Sequence, residues 1–166
     1  MKQLDEQAII AAWEEVTELL VSEDENQLNS LIKDFETVQP NILAYTFAAG
    51  GDMLDEDEHA NQFFYGTIIW KAIGDETKIV SEDALVEQEE LIFRDYERAI
   101  KEGQDSLEEI AEVLREKTEQ TELISSLYDD ILEELPDDAD DDRLNAAAWM
   151  MIHLCTVSTC LEKNVM

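Results

Sequence analysis

"RLNAAAWMMIHLCTVSTCLEK", residues 143 to 163, is the stretch whose reading decides the fold. From Leu144 to Leu161 it is apolar on almost every side, and a helix of that kind must be enclosed by other helices or by lipid. Its apolar part falls short of the roughly 20 residues a membrane span needs and carries Ser158 and Thr159 near its end. The expectation is therefore no membrane. The helix should instead form the centre of a core, or a homodimer interface through residues 144–161.

The rest of the chain reads as the cover for such a helix. Leu4, Ala8, Ile9, Ala12, Trp13, Val16, Leu19 and Leu20 recur at three and four, which marks an amphipathic first helix ending near Val21. "SEDE" at 22–25 has the form of a capping box and predicts a second helix, closed by Pro40. Pro40 suits the first turn of a third, which Gly50 and Gly51 end. "DEDE" at 55–58 suits the positive end of a fourth helix, which Gly74 stops. "VSED" recurs at 80–83 after its occurrence at 21–24, but the flanking residues diverge, so it reads as two caps and not a repeat. A fifth helix ends near Gly103. The pattern Leu107, Ile110, Leu114, Ile124, Tyr128, Ile131 and Leu135 predicts a long sixth, although "REKTEQTE" at 115–122 is wholly polar, so that helix either crosses solvent or is interrupted.

These readings give an all-α fold, an irregular single-domain bundle of about six to seven helices over residues 1–166, with a candidate sub-boundary near 74–80. A chain of this length buries close to about 70% of its unfolded surface in one core. Cys155 and Cys160 lie five residues apart in a helix, roughly 8 to 9 Å between Cα atoms, too far for a disulfide, and are expected as buried free thiols. "MKQLDEQAII" is acidic within five residues and shows no basic segment followed by an apolar run, so a cytoplasmic location is expected.

Charge is the strongest compositional signal. The sequence holds 42 acids against 11 bases, a net charge of -31. Such a surface disfavours direct nucleic-acid binding and anionic membranes, keeps the chain soluble, and attracts basic partners at rates that fall with salt.

Catalytic and metal motifs test poorly. The run "LPDDADDDRLN" at 135–145 supplies Asp138, Asp140 and Asp142 at the first, third and fifth positions of a calcium loop, but Arg143 replaces the glycine and Trp149 the bidentate glutamate. Capping by Asp141 or Asp142 at the start of the last helix is the better account. Glu56 with His59 is half of a di-iron pattern, and the second half is missing, because Met150 stands three residues before His153. His153 therefore reads as a satisfied core histidine. Glu87 with Glu90 and Glu109 with Glu112 resemble the magnesium pairs of helical nucleotide pyrophosphohydrolases, but roughly ten such pairs arise by chance in so acidic a chain, and no basic phosphate clamp accompanies them. Cys155 follows His153 by two residues, about 200° round a helix, on the opposite face. No cofactor is expected, and no catalytic constellation is assembled.

Three functional expectations remain. The first is a non-enzymatic acidic interaction module that covers a basic, nucleic-acid-binding surface of a partner protein. In size, charge and helicity the chain resembles immunity proteins and nucleic-acid mimics. The contact surface would be Asp55, Glu56, Asp57 and Glu58 together with Asp137, Asp138, Asp140, Asp141 and Asp142. The second is a metal-dependent helical enzyme whose carboxylates converge only in space, for which Glu89, between Leu85 and Ile92, is the position to inspect. The third is a homodimeric scaffold.

Overall fold

The last helix is encased by the rest of its own chain. The computed structural model describes residues 1–166. It contains eight α-helices: α1 Glu6–Val21, α2 Glu25–Val38, α3 Pro40–Ala48, α4 Glu56–Ile73, α5 Glu82–Lys101, α6 Leu107–Arg115, α7 Thr121–Glu134 and α8 Asp141–Lys163. A single 3-10 turn, Gly51–Met53, joins α3 to α4. Helix α8 packs against α4, α5, α6, α7 and the 3-10 turn, and one apolar core draws side chains from every helix. By length and composition α8 could cross a bilayer, yet 83% of its apolar window is buried inside the chain. Neighbouring helices thus account for its all-round apolarity, and the part of 144–161 still in solvent is its first turn, at Leu144 and Asn145.

Eight helices replace the six or seven expected, because the polar run at 115–122 breaks the predicted long helix. Residues 116–120 form the break between α6 and α7, and two of them are buried although polar: Thr118 and Gln120. The Glu162 carboxylate of α8 accepts hydrogen bonds from the Thr118 hydroxyl, from Ser158 Oγ at 3.2 Å and from the Glu119 amide at 2.8 Å. Gln120 Oε1 accepts from the Leu4 amide at 2.8 Å and its Nε2 donates to the Lys2 carbonyl at 3.0 Å. These two polar side chains, Thr118 and Gln120, are buried because their polar atoms find partners.

Helix boundaries follow their caps, with two corrections. The expected Ser22 capping box does not form. Ser22 instead donates back to the Leu19 carbonyl at the end of α1, Glu23 takes a left-handed φ of 54°, and Asp24 caps α2 by accepting from the Asn26 and Gln27 amides. Three residues between two helices leave no room for a cap as early as Ser22. The last helix is capped by Asp140, not by Asp141 or Asp142, which occupy its first turn. The segment 74–80 is fastened from two sides. Gln39 bonds Thr77, Lys78 and Val80, while the Lys78 amide donates to the Asn164 carbonyl at 2.7 Å.

Close packing at one glycine sets the distance between α3 and α4. A Cβ on Gly66 would stand 2.5 Å from Thr46 Cγ2, so no larger residue fits without separating the helices. Both cysteines are free and buried, and burial pushes the Cys155 thiol up to about 12 and the Cys160 thiol up to about 11, so both stay protonated.

Candidate functional site: an acidic groove with an aromatic floor

Two helix N-termini meet at one face of the molecule. Asp55 begins α4 with a complete capping box: its Oδ1 accepts the Glu58 amide at 2.8 Å, and Glu58 Oε1 accepts the Asp55 amide at 2.9 Å. Leu54, 4% exposed, anchors this corner in the core. The turn before it depends on Gly50, whose φ of 96° favours glycine and whose Cβ would strike Leu54 at 2.8 Å and His153 Cε1 at 3.2 Å. Across the gap, Asp140 Oδ1 accepts the Arg143 amide at 2.9 Å and starts α8. Carboxylates collect at both ends because the positive ends of the helix dipoles favour them.

The two acidic runs, 85 positions apart from Asp55 to Asp140, thereby line one open groove of about 750 Å³. Its rim carries Asp52, Asp55, Glu58, Asp140 and Asp142, and its floor is made by Phe93 and Tyr96 of α5 with Trp149 of α8. The Phe93 and Trp149 rings stack at 5.1 Å and 11°, and Tyr96 lies 5.7 Å from Phe93. Arg143 also lines the groove and makes no ion pair within 4 Å, so the rim keeps most of its negative charge.

No family model, curated protein or solved structure matches the chain. The chemistry of the groove must therefore be read from its own side chains.

Of the nine acids expected at a contact surface, Asp55, Glu58, Asp140 and Asp142 come together on this groove. Asp137 lines an adjoining depression of about 360 Å³ that shares Tyr96 and Asn145 with it. Glu56, Asp57, Asp138 and Asp141 are exposed but line neither. Sequence reasoning missed Asp52 and the three floor aromatics. Phe93 and Tyr96 had a weak signal, three residues apart and so on one face of α5. Asp52 had none, since only the fold of the 3-10 turn brings it to the rim.

Behind Trp149 lies a buried polar network that joins α3, α4, α5 and α8. Gln62 Nε2 donates to the Thr46 and Ala49 carbonyls at 3.0 and 3.1 Å, so its Oε1 must accept from His153 Nδ1–H at 2.7 Å. That fixes the histidine tautomer and leaves Nε2 bare, facing Glu89 Oε1 at 3.5 Å. The same Glu89 oxygen already accepts the Tyr45 hydroxyl at 2.6 Å. Burial pushes the His153 imidazole down to about 4, assisted by the positive charge of His59. Glu89 pulls the other way, but its side chain is 32% exposed and its oxygen is engaged by Tyr45, so burial prevails. Desolvation, with Glu89 adding to it, raises the Tyr45 hydroxyl well above the usual phenol range. His153 is thus a buried core histidine, bonded through Nδ1 and neutral at pH 7.

Glu89 is therefore the half-buried carboxylate the sequence singled out; its hydrogen-bond partner is the Tyr45 phenol, and the His153 ring lies 3.5 Å away without donating to it. No three His, Cys, Asp or Glu side chains anywhere in the molecule converge to hold a metal ion. Glu56 and His59 do not act as a pair: His59 Nε2 bonds the Gly51 carbonyl at 2.9 Å and steadies the turn that carries Asp52.

Proposed function

We propose that this protein is an acidic interaction module, and that the groove between the starts of α4 and α8 receives a basic segment of a partner protein. The observation that carries this reading is the convergence of two separate acidic runs over an aromatic floor. An arginine or lysine entering there meets carboxylates at the rim for its charge and rings at the floor for its stem and cation, where such contacts contribute about 0.5 to 2 kcal/mol. The remaining acids, spread over a chain of net charge -31, steer the encounter and repel nucleic acid. A partner whose basic surface itself binds nucleic acid would be masked by this contact, and a cytoplasmic setting suits the role.

Calorimetric titration with an arginine-rich peptide tests the reading. At about 50 mM salt, where charges interact over roughly 14 Å, Asp52→Asn with Asp142→Asn is expected to weaken binding at least about tenfold. Removing two acids from the exposed side of α1, Glu14→Gln with Glu18→Gln, should leave it nearly unchanged. Equal losses in the two double variants would mean that the peptide senses only net charge, and the groove would have no special role.

A further inference from the structure

The 11 bases of the chain are not dispersed among its 42 acids. Four of them, Arg94 and Arg98 of α5, Lys117 of the α6–α7 connection and Lys163 at the end of α8, line a second groove of about 400 Å³. Nine residues form that groove, and nine drawn at the chain's average composition would include fewer than one base. The fold collects from three elements what the sequence scatters.

Internal neutralisation does not account for the cluster. A base lowers the energy of so acidic a protein most when it stands among acids, whereas four like charges side by side repel. Asp95 is the one acid in the groove, held between Lys117 at 2.8 Å and Arg98 at 3.5 Å. Arg94 has no ion pair, and the Lys163 ammonium donates to the Gln88 amide oxygen at 2.9 Å. Arg98 and Lys163 sit in the last turns of their helices, where the dipole favours a cation. Arg94 lies well inside α5 and has no such reason to be there. All four cationic side chains are exposed, Arg94 and Arg98 project from one face of α5 at i, i+4, and Leu91 with Ile92 supplies an apolar wall.

We infer that this groove is an anion site for a small molecule bearing a diphosphate group. Four bases against one acid leave three positive charges, and two phosphate groups bring about -1.5 to -2 each, so the charges balance. Two guanidiniums provide forked donors for the phosphate oxygens, and two ammonium groups serve as point charges. Three separate elements, α5, the α6–α7 connection and α8, contribute its walls. The distant acids exclude longer polyanions, since a nucleic acid strand laid here would run onto the surrounding negative surface.

The test is calorimetric titration of the full chain with pyrophosphate, with circular dichroism confirming that each variant is folded. Wild type is expected to bind one equivalent, and Arg94→Gln with Lys163→Gln to weaken it by about thirtyfold or more, the loss of two charge-assisted contacts. Asp95→Asn, which removes the lone acid, is expected to tighten binding. No saturable binding to wild type, or equal binding by the double variant, would overturn the site. Citrate binding as tightly as pyrophosphate would overturn the assignment to phosphate.

Discussion

Between pH 7 and pH 4 the wild-type fold will lose about 3 kcal/mol more stability than a His153→Met variant, measured by urea unfolding at the two pH values. The sign follows from the depressed native value. An unfolded chain takes up a proton at the ordinary histidine value of 6.5, whereas the folded chain holds out until about 4. Between those limits the unfolded state binds more protons, so stability falls as pH falls through the window. Carboxylates outside the network titrate alike in both proteins and cancel in the difference. His153→Met will itself lower stability at pH 7 by about 1 to 2 kcal/mol, since Gln62 Oε1 loses its donor in a buried site. Matching pH slopes in the two proteins would show that His153 is not desolvated as the network requires.

Glu162→Ala has the second large effect, an expected loss of about 3 kcal/mol at pH 7 by the same unfolding measurement. Its carboxylate joins α8 to the break between α6 and α7 through Thr118 and the Glu119 amide, with Ser158 of α8 as a third donor. Without it the Glu119 amide has no acceptor, while Thr118 and Ser158 retain each other at 2.9 Å and Thr118 still accepts the Gln120 amide at 3.0 Å. Glu162 is 8% exposed, and burial raises its carboxyl above the usual range despite those three donors. Here the linkage runs opposite to that of His153. A raised native value means the folded chain takes up the proton first, so this group adds stability as pH falls through its folded value toward the unfolded one. Glu162→Ala will remove that gain as well as the hydrogen bonds. A loss below about 1 kcal/mol would mean that the α6–α7 connection does not depend on the carboxylate.

Helix content and most helix limits were legible because they rest on periodicity and caps. The polar run at 115–122 allowed either a solvent crossing or an interruption, and it is an interruption. What local sequence does not carry is the burial of Thr118 and Gln120 within it, because their partners Glu162, Ser158, Leu4 and Lys2 lie up to 118 positions away. Ser22 looked like a cap because the motif is local, but the length of the turn decided in favour of Asp24. The acidic groove was half legible. Its carboxylates stood out as runs, whereas the aromatic floor depends on α5 and α8 crossing with Phe93 against Trp149. The basic groove was hidden altogether, since Arg94, Lys117 and Lys163 share no local pattern.

The acidic runs also show how capping and recognition divide one cluster. Asp55, Glu58 and Asp140 each spend one oxygen on a backbone amide, while Asp52 and Asp142 have no capping bond and remain free to meet a cation. Substitution by asparagine is therefore the informative change, because it preserves the caps and removes the charge.

The chain's three tryptophans allow the most direct test of the proposed groove. Trp149 lines it, Trp13 donates its indole N–H to Ser126 Oγ at 3.1 Å on the far side of α4, and Trp70 is 1% exposed and stacked on Phe35. The measurement is the set of indole N–H resonances in a two-dimensional NMR spectrum as an arginine-rich peptide is added. The Trp149 signal alone should move and saturate at one equivalent, with the shift lost in Asp52→Asn with Asp142→Asn. Peptide binding that leaves the Trp149 signal in place would contradict the groove as the contact surface.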